Sequence, residues 1–257
     1  MIRSVGFIGS GNVASNLALA FNEQNIEIKF VFSKTKNNQT EFAVKFNCQS
    51  PESIEEFPEV DAIFICVNDD QIESVSSQLI HNDSTIVHCS GSVSLKALLG
   101  NKKQGVFYPF QSFTKHEKVN WKNIPILIEA NATDVSEHLS ELANRISTIV
   151  QLADSDQRKS LHLSGVLMNN FTNHLAVLGN QFLVQNKLDP SLLNALIEQT
   201  TDRILKGNPE KFQTGPAVRH DTKTINSHLD ILENNANLKS LYQQFTDSIQ
   251  SWKKDNK

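Results

Sequence analysis

The sequence has few cysteines, no cluster of basic residues and no long apolar run, and each absence excludes a class of protein. Its 257 residues include only three cysteines, Cys48, Cys66 and Cys89, at spacings that match none of the usual zinc motifs. The odd count gives no sign of a disulfide framework and suits a reducing compartment. We therefore predict no metal site and a cytoplasmic location.

The charge pattern argues against a nucleic-acid partner. The formal net charge is −4, and lysines and arginines are scattered along the chain, whereas phosphate-backbone binding requires them on one face. The N-terminal segment has neither a long apolar stretch nor a small-residue cleavage site. We expect no export signal, no membrane contact, a mature chain that begins at Met1, and a small molecule as the substrate.

The most informative pattern lies in the first twenty residues. An apolar run from Val5 to Ile8 leads into a glycine turn and then into an amphipathic stretch, and the turn reads Gly9-Ser10-Gly11-Asn12-Val13-Ala14. This order predicts the strand, turn and helix of a dinucleotide-binding unit. Gly9 would let the chain reverse, Gly11 would let a diphosphate approach the backbone, and Ala14 would let helix and strand pack closely. The alternative is a βα turn that holds no nucleotide.

Strand-like and helical stretches alternate as far as Leu152, and only helical patterns follow. Strands are expected at Val5–Ile8, Glu27–Phe32, Val60–Val67, Thr85–Cys89, Gly105–Phe107, Ile124–Ile128 and Thr148–Leu152, with helices at Asp70–Ile80 and Thr133–Ile146. The sequence predicts an α/β protein in which a doubly wound, mostly parallel Rossmann sheet occupies residues 1–153. An all-α domain for substrate binding and dimerisation would follow in residues 154–257.

The residues after the second predicted strand indicate which dinucleotide is bound. An acidic residue there would accept hydrogen bonds from the ribose hydroxyls of NAD and repel a 2′-phosphate. Here the strand ends in Phe32, followed by Ser33, Lys34 and, two residues later, Lys36. A hydroxyl and two cations suit a phosphate, so we predict NADP as the cofactor. The alternative is that both lysines belong to a solvated loop.

Further cofactor-binding residues are expected at the carboxyl ends of the strands, where doubly wound sheets bind ligands. Val67 and Asn68 follow one predicted strand, Ser90 and Gly91 follow the next, and Tyr108 ends another. Asn68 and Ser90 could bind the nicotinamide-side ribose or a substrate oxygen, and Gly91 would allow close approach. Tyr108 could line the nicotinamide pocket and donate its hydroxyl, or it could simply pack at a domain interface.

Two other polar residues at these strand ends have simpler explanations. Asp69 or Asp70 could cap the helix that follows. His88 is expected to be a buried histidine with satisfied hydrogen bonds.

The long helical segment from Ser155 carries polar residues at helical spacing. Arg158, His162, Asn169 and Asn173 are separated by four, seven and four residues, which places them on one face of an otherwise apolar helix that we expect to be buried. Hydride transfer to a carbonyl or imine needs a nearby proton source, and histidine titrates in the right range. We take His162 as the candidate acid or base and Asn169 as a second catalytic candidate, against a purely structural role for both.

A second polar cluster lies near residue 220, at the entry to another predicted helix. Asp221 could cap that helix and hold Arg219, whose guanidinium could then bind a carboxylate or phosphate. Both are catalytic candidates, and a structural arginine–aspartate pair is the alternative.

These motifs together resemble a known superfamily over essentially the whole chain. The resemblance rests on the glycine turn, His88-Cys89-Ser90-Gly91, Tyr108-Pro109, His162 with Asn170-Phe171, and Gly215-Pro216 with Arg219 and Asp221. The chain is similar to NADP-dependent oxidoreductases of the pyrroline-5-carboxylate reductase and 6-phosphogluconate dehydrogenase superfamily, in the branch whose C-terminal helical domain has no assigned function. The resemblance implies a Rossmann fold, NADP, reductase chemistry and a homodimer formed through the helical domain.

The chain also departs from its better-known relatives. Hydroxyacid dehydrogenases of this superfamily carry a catalytic lysine four residues before an asparagine, and Gly165 and Val166 occupy those positions here. The Ser-Gly-x-Gly-Pro-Ala signature of the pyrroline reductases is likewise missing. We therefore expect an NADP(H)-dependent oxidoreductase that acts on a small, anionic carbonyl, imine or hydroxy compound. A non-catalytic NADP-binding regulator or dimeric scaffold is the rival, and a lyase or isomerase that uses the cofactor without net oxidation is a third class.

Overall fold

A single seven-stranded sheet organises the first part of the chain in the computed structural model, which describes residues 1–114 and 119–255. The strands are β1 (Ser4–Ile8), β2 (Glu27–Phe32), β3 (Ala62–Ile65), β4 (Thr85–His88), β5 (Gln104–Pro109), β6 (Ile126–Ala130) and β7 (Val150–Leu152). Their spatial order is β2-β1-β3-β4-β5-β6-β7. Neighbouring strands are parallel except β5 and β6, which pair antiparallel. The predicted fold class, a mostly parallel Rossmann sheet followed by helices, is confirmed.

The sheet is buried on both faces, which explains why its inner strands are almost uninterrupted apolar runs. All residues of β1, β3 and β4 are buried. Alternate side chains point to opposite faces. Phe7 and Phe64 therefore pack with Phe21 in one apolar layer, while Ile8 and Ile63 belong to a second layer on the other face.

The helices around the sheet match the predicted pattern with two exceptions. The described helices of this part are α1 (Asn12–Glu23), α2 (Lys36–Phe46), α3 (Ile72–Ser76), α4 (Thr133–Asn144) and α5 (Ser155–Gly165). Helix α2 is not in the predicted pattern, because its first residues are polar and only Gln39, Phe42 and Ala43 are buried. The single helix expected at Asp70–Ile80 is instead α3 between two 3₁₀ turns.

Between residues 166 and 255 the described elements are all helices. A π-helix at Val166–Phe171 continues α5 into α6 (Thr172–Gln185), and α7 (Asn194–Leu205), α8 (Thr222–Ile231) and α9 (Ala236–Asp255) follow. The chain divides into two compact units, Met1–Met168 and Asn169–Lys257. The functional division at residues 153 and 154 stays a prediction. None of the helices described is long and apolar enough to span a membrane.

Candidate functional site

The glycine turn between β1 and α1 requires glycine at one position and leaves open space at another. Gly9 has a φ of +103°, and a Cβ atom there would lie 2.3 Å from the carbonyl oxygen of Cys66. A Cβ atom on Gly11 would meet no atom of residues 1–114 and 119–255 within 4 Å. The protein's own packing therefore explains Gly9 but does not explain Gly11, and the space at Gly11 suits a ligand that approaches the backbone closely.

The N-terminus of α1 next to this space is available to an anion. Gly11 is the N-cap residue before the helix, and within the described part of the chain it provides no side-chain cap for the free N–H groups of the first turn. Ala14, in the third position of the motif, is completely buried against the sheet. These observations fit the diphosphate of a dinucleotide, so the residues present are compatible with the predicted cofactor.

The polar residues after β2 lie beside the same turn. The Ser10 hydroxyl donates to Ser33 Oγ at 2.9 Å, which ties the glycine turn to the end of β2. The Ser33 N–H donates to Gln39 Oε1 at 2.9 Å. Lys34 is exposed, whereas Lys36 pairs with Glu52 at 2.5 Å. The Ser33 hydroxyl therefore lies beside the glycine turn, and Lys34, next to it in sequence, is exposed. The role of both residues in recognising a 2′-phosphate stays a prediction.

The other residues predicted to bind the cofactor near the glycine turn and after β3 differ in exposure. Asn12 is exposed and its Nδ2 donates to the carbonyl oxygen of Phe113 at 2.9 Å, so this side chain already serves a loop contact. Val13 and Val67 are half-buried, and Asn68 is exposed at the start of the turn before α3. Asp69 and Asp70 lie in that turn, but neither side chain caps it.

Three residues that are distant in sequence meet at the carboxyl end of the sheet. The Tyr108 hydroxyl, at the end of β5, lies 3.1 Å from Nδ1 of His162 on α5. Gly91, after β4, faces both: a Cβ atom there would lie 2.6 Å from Tyr108 Cζ and 2.7 Å from His162 Nδ1. The missing side chain at residue 91 therefore allows the tyrosine and histidine to pair over the loop. We name these three residues the Tyr–His site.

A buried ion pair holds the loop after β4 in place beneath this site. The Arg158 side chain is completely buried and forms an ion pair with Glu129, the penultimate residue of β6. Its Nε donates to the carbonyl oxygen of Ser90 at 3.2 Å, and one terminal nitrogen donates to the carbonyl oxygen of Val93. Ser155 completes the network by donating from Oγ to Glu129 Oε2 at 2.9 Å.

The Ser90 hydroxyl oxygen also serves the loop itself. It accepts hydrogen bonds from the backbone N–H groups of Ser92 and Val93, both at 3.1 Å. Ser92 in turn donates to the Asp69 carboxylate, which brings an exposed negative charge near the Tyr–His site. Burial raises the pKa of Tyr108, the nearby Arg158 opposes that effect and Asp69 adds to it. The Tyr108 hydroxyl therefore stays protonated near neutral pH and can donate a hydrogen bond or a proton.

His88 is buried as expected, but only one of its ring nitrogens has a partner in the described part of the chain. Nδ1 accepts from the Ser90 N–H at 3.2 Å, and Nε2 has no hydrogen-bond partner there. Burial lowers the pKa of His88 to about 4, and the neighbouring Arg158 contributes to the same shift. His88 is therefore neutral near pH 7 and supports the loop rather than binding an anion.

Three predicted catalytic residues, Asn169, Arg219 and Asp221, belong to the second unit. Asp221 accepts from the Thr224 N–H at 3.1 Å and from Thr224 Oγ1 at 2.8 Å, which caps α8 and lowers the pKa of the Asp221 carboxyl. Arg219 is exposed. Their catalytic assignments stay predictions.

The helical spacing used to group Asn169 with His162 does not hold along the observed helix. The π-helix at Val166–Phe171 has more residues per turn than an α-helix, so spacings of four and seven no longer return to one face. The expected burial is wrong for the chain taken alone, because several apolar side chains of this helix are exposed, among them Leu163, Leu167, Met168, Phe171 and Leu175.

Helical spacing does not predict the partners of Arg158. It places Arg158 on one face with His162 and indicates no role for Glu129, Ser155 or Val93. A charged residue in an apolar helix that must be buried is the only signal that could have pointed to an ionic partner. Nothing in the sequence indicates which acidic residue that partner is.

Another surface depression carries none of these residues. It has a volume of about 680 Å³ and includes Asp61, Ser84 and Thr85 at the amino ends of β3 and β4. Ligands of doubly wound sheets bind at the opposite, carboxyl edge. We therefore place the candidate site at the glycine turn and the Tyr–His site.

Comparison with known proteins identifies the family. The chain is 32% identical to a protein of Bacteroides fragilis assigned to the NADP oxidoreductases, with 97% of this chain and 98% of that one covered and a TM-score of 0.89. This chain belongs to that NADP oxidoreductase family. A family profile described as NADP oxidoreductase, coenzyme F420-dependent, matches residues 4–91, and one described as a domain of unknown function, DUF2520, matches residues 124–249. The predicted cofactor class, NADP, is the one this family uses.

More distant proteins share the fold of this NADP oxidoreductase. A protein of Thermotoga maritima is 23% identical, with 96% of this chain and 98% of that one covered and a TM-score of 0.80. An imine reductase from Myxococcus stipitatus, solved with NADP⁺, is 14% identical, with 98% and 93% covered and a TM-score of 0.58. No curated protein matches the chain in sequence.

Proposed function

We propose that this protein is an NADP(H)-dependent oxidoreductase that reduces the C=N or C=O bond of a small, anionic compound or oxidises the corresponding product. The observation that supports this most directly is the hydrogen bond between Tyr108 and His162, 3.1 Å long, at the carboxyl edge of a dinucleotide-binding sheet. A protein that only stored or sensed the nucleotide would not need a paired proton donor at this edge.

Within this proposal, the glycine turn and the end of β2 bind the cofactor. Ser10, Gly11 and the first N–H groups of α1 would hold the diphosphate, and Ser33 with Lys34 would bind the 2′-phosphate. Val67 and Asn68 would border the nicotinamide half. When bound, NADPH supplies the hydride and NADP⁺ accepts it.

The Tyr–His site would deliver or remove the proton. The Tyr108 hydroxyl lies within hydrogen-bond distance of Nδ1 of His162, and a proton can pass between these two atoms while one of them contacts the substrate. Gly91 keeps the two rings in contact, and Arg158 holds the loop that carries Gly91. Arg158 is thus a positioning residue in this proposal.

The second unit would contribute to substrate binding. Arg219 is an exposed guanidinium beside the α8 entry that Asp221 caps, and guanidinium groups bind carboxylates and phosphates in two-point contacts. We propose that Arg219 binds the anionic group of the substrate and that Asn169 is a further polar contact. The imine reductase of Myxococcus stipitatus, which shares the fold, makes imines a sensible first class to test.

The test is NADPH consumption with a panel of cyclic imino acids and small oxo acids, measured on the wild type and on His162→Asn and Tyr108→Phe. Loss of a general acid lowers turnover by about 100-fold or more. We expect this loss with an unchanged dissociation constant for NADPH. A variant that loses NADPH affinity at unchanged turnover contradicts the assigned role. NADPH binding without turnover of any compound supports the non-catalytic regulator instead.

We also propose that the protein is a homodimer through its helical unit. Helices α6 and α7 contain no buried residue, although they carry exposed apolar side chains, including Val177, Val184, Leu196 and Ile197. Exposed apolar surface of this extent is typical of an interface. Light scattering of Leu196→Glu should report a monomer, with Val44→Glu, an exposed apolar position on α2, as the unaffected control. A wild-type monomer contradicts this part of the proposal.

A further inference from the structure

Two of the three cysteines face each other at the edge of the sheet that carries the candidate site. Cys66 Sγ and Cys89 Sγ are 3.7 Å apart. The cysteines directly follow β3 and β4, and the last residues of those strands, Ile65 and His88, are paired in the sheet. Their closeness is therefore fixed by strand register and not by a flexible loop.

The distance between the two sulfur atoms is short enough for a disulfide to form after a local movement. Residues aligned on neighbouring strands point to the same face and have side chains close enough to contact, and disulfides need Cβ atoms about 3.5–4.5 Å apart. Only a small approach of the two strand ends would bring the sulfur atoms from 3.7 Å to bonding distance, about 2.05 Å. Cys48 is separate: it is half-buried at the end of the α2 segment, and burial raises its pKa to about 11.

We propose that Cys66 and Cys89 are a thiol-modification site, an oxidisable dithiol that closes to a disulfide beside the dinucleotide turn. Cys66 is half-buried, so a small oxidant can reach it first, whereas Cys89 is buried. Burial also raises the pKa of the Cys89 thiol, which disfavours it as the first nucleophile.

The oxidant would be a low-molecular-weight disulfide, and the reaction is thiol–disulfide exchange in two steps. The Cys66 thiolate attacks one sulfur of the oxidant, which forms a mixed disulfide and releases one thiolate. Cys89 then loses its proton and attacks Cys66 Sγ, which forms the Cys66–Cys89 bond and releases the second thiolate. Two protein thiols are oxidised, one small disulfide is reduced to two thiols, and the two protein protons pass to those products.

The position of Cys66 couples this reaction to the glycine turn. Its carbonyl oxygen packs so closely on Gly9 that no Cβ atom would fit between them. Its N–H donates to the carbonyl oxygen of Ile8 at 2.7 Å. A movement that draws the ends of β3 and β4 together would therefore shift the Cys66 carbonyl group that packs against Gly9 in the glycine turn. Given the proposed cofactor site, the disulfide should weaken NADPH binding, and bound NADPH should slow the oxidation.

The first experiment tests the disulfide without any cofactor. Full-length Cys48→Ser is treated with oxidised glutathione, and the intact mass and the digested peptides are measured. We expect loss of two hydrogens and a peptide pair linking Cys66 to Cys89. In the control Cys48→Ser/Cys89→Ser, we expect the exchange to stop at a glutathione adduct on Cys66. Two free thiols after this treatment, or adducts on both cysteines without a link, overturn the proposal.

The second experiment measures the coupling to the cofactor by titrating NADPH into the reduced and the oxidised Cys48→Ser protein. We expect affinity to fall by about tenfold on oxidation and to return after reduction. Equal affinities with the disulfide formed overturn the coupling. Absence of NADPH binding to the reduced protein contradicts the proposed function instead, and the cross-linked peptide would still report on the dithiol.

Discussion

Arg158 and Glu129 form an ion pair in which the arginine side chain is completely buried and the glutamate side chain is 18% exposed. The pair joins α5 to β6, and its remaining nitrogens hold the carbonyl groups of the loop that carries Gly91. A guanidinium placed there is stable because each of its three nitrogens meets an acceptor. The stability of the loop and the geometry of the Tyr–His site therefore depend on a charge that the solvent does not reach.

Removing one partner of this ion pair should lower the free energy of unfolding substantially. Arg158→Met leaves the Glu129 carboxylate without its partner, and breaking a buried pair in this way costs about 3–5 kcal/mol. The measurement is the free energy of unfolding in urea. The control is Lys102→Met, which removes an exposed ion pair with Asp83 and should cost at most about 1 kcal/mol. Equal losses in the two variants would show that the buried network adds no stability.

Replacing the two glycines of the turn by alanine, one at a time, should have different effects: one variant should lose stability and the other should lose cofactor binding. Gly9→Ala forces a Cβ atom against the Cys66 carbonyl at a φ of +103°, so we expect a lower melting temperature even without cofactor. Gly11→Ala adds a Cβ atom in open space and should cost less than about 1 kcal/mol of stability. We expect NADPH to raise the melting temperature of the wild type and expect Gly11→Ala to abolish that rise. Unchanged NADPH binding by Gly11→Ala would contradict the diphosphate site.

Filling the space at Gly91 should separate the tyrosine from the histidine. The added Cβ atom of Gly91→Ala would lie 2.6 Å from Tyr108 Cζ, so the two rings must move apart. We expect the NMR signal of His162 Nδ1 to lose its hydrogen-bonded shift and turnover to fall by about 100-fold. The matched control is Gly179→Ala in α6, whose Cβ atom would lie 3.7 Å from Leu193 Cδ1, and it should change neither the signal nor turnover. A preserved Nδ1 signal in Gly91→Ala would show that the contact does not depend on glycine.

Stability should fall as the pH is lowered because His88 resists protonation in the folded state. Its pKa is about 4 when folded against 6.5 for the unconstrained side chain, so the unfolded chain binds the extra proton between these values. Stability is therefore complete above pH 6.5 and is lost progressively toward pH 4. Between pH 7 and pH 5 the histidine contributes a loss of about 2 kcal/mol.

The urea unfolding of wild type and His88→Gln at both pH values isolates this contribution from the carboxylates, which titrate in both proteins. The wild type should lose about 2 kcal/mol more than the variant over that interval. Equal pH slopes would mean that His88 is protonated in the folded protein.

Local sequence predicts most of the first half of the fold. Buried parallel strands are continuous apolar runs, and the glycine turn has a steric signature, so β1, the turn and α1 are found directly. Helix α2 was missed because packing of Phe42 and Ala43 on the sheet stabilises a segment with little helical pattern of its own. The π-helix at Val166–Phe171 was missed because periodicity arguments assume one constant pitch.

The residues of the candidate site also fall into two groups: those that are close together in the sequence and those that only the fold brings together. Gly9, Gly11, Ser33 and Lys34 are neighbours of a single βαβ unit, so spacing along the chain was enough to propose them together. Tyr108 and His162 were each proposed for separate reasons, and nothing in the sequence indicated that they touch across 54 residues.

The sequence by itself determined the alternation of strands and helices, the glycine turn and the cofactor class, because each depends on interactions between residues a few positions apart. Only the tertiary structure decided that Arg158 pairs with Glu129, that Gly91 leaves room for Tyr108 to contact His162, and that the sulfur atoms of Cys66 and Cys89 lie close together. Those contacts depend on strand order and register, which are set by the burial of the whole sheet. No local sequence pattern predicts them.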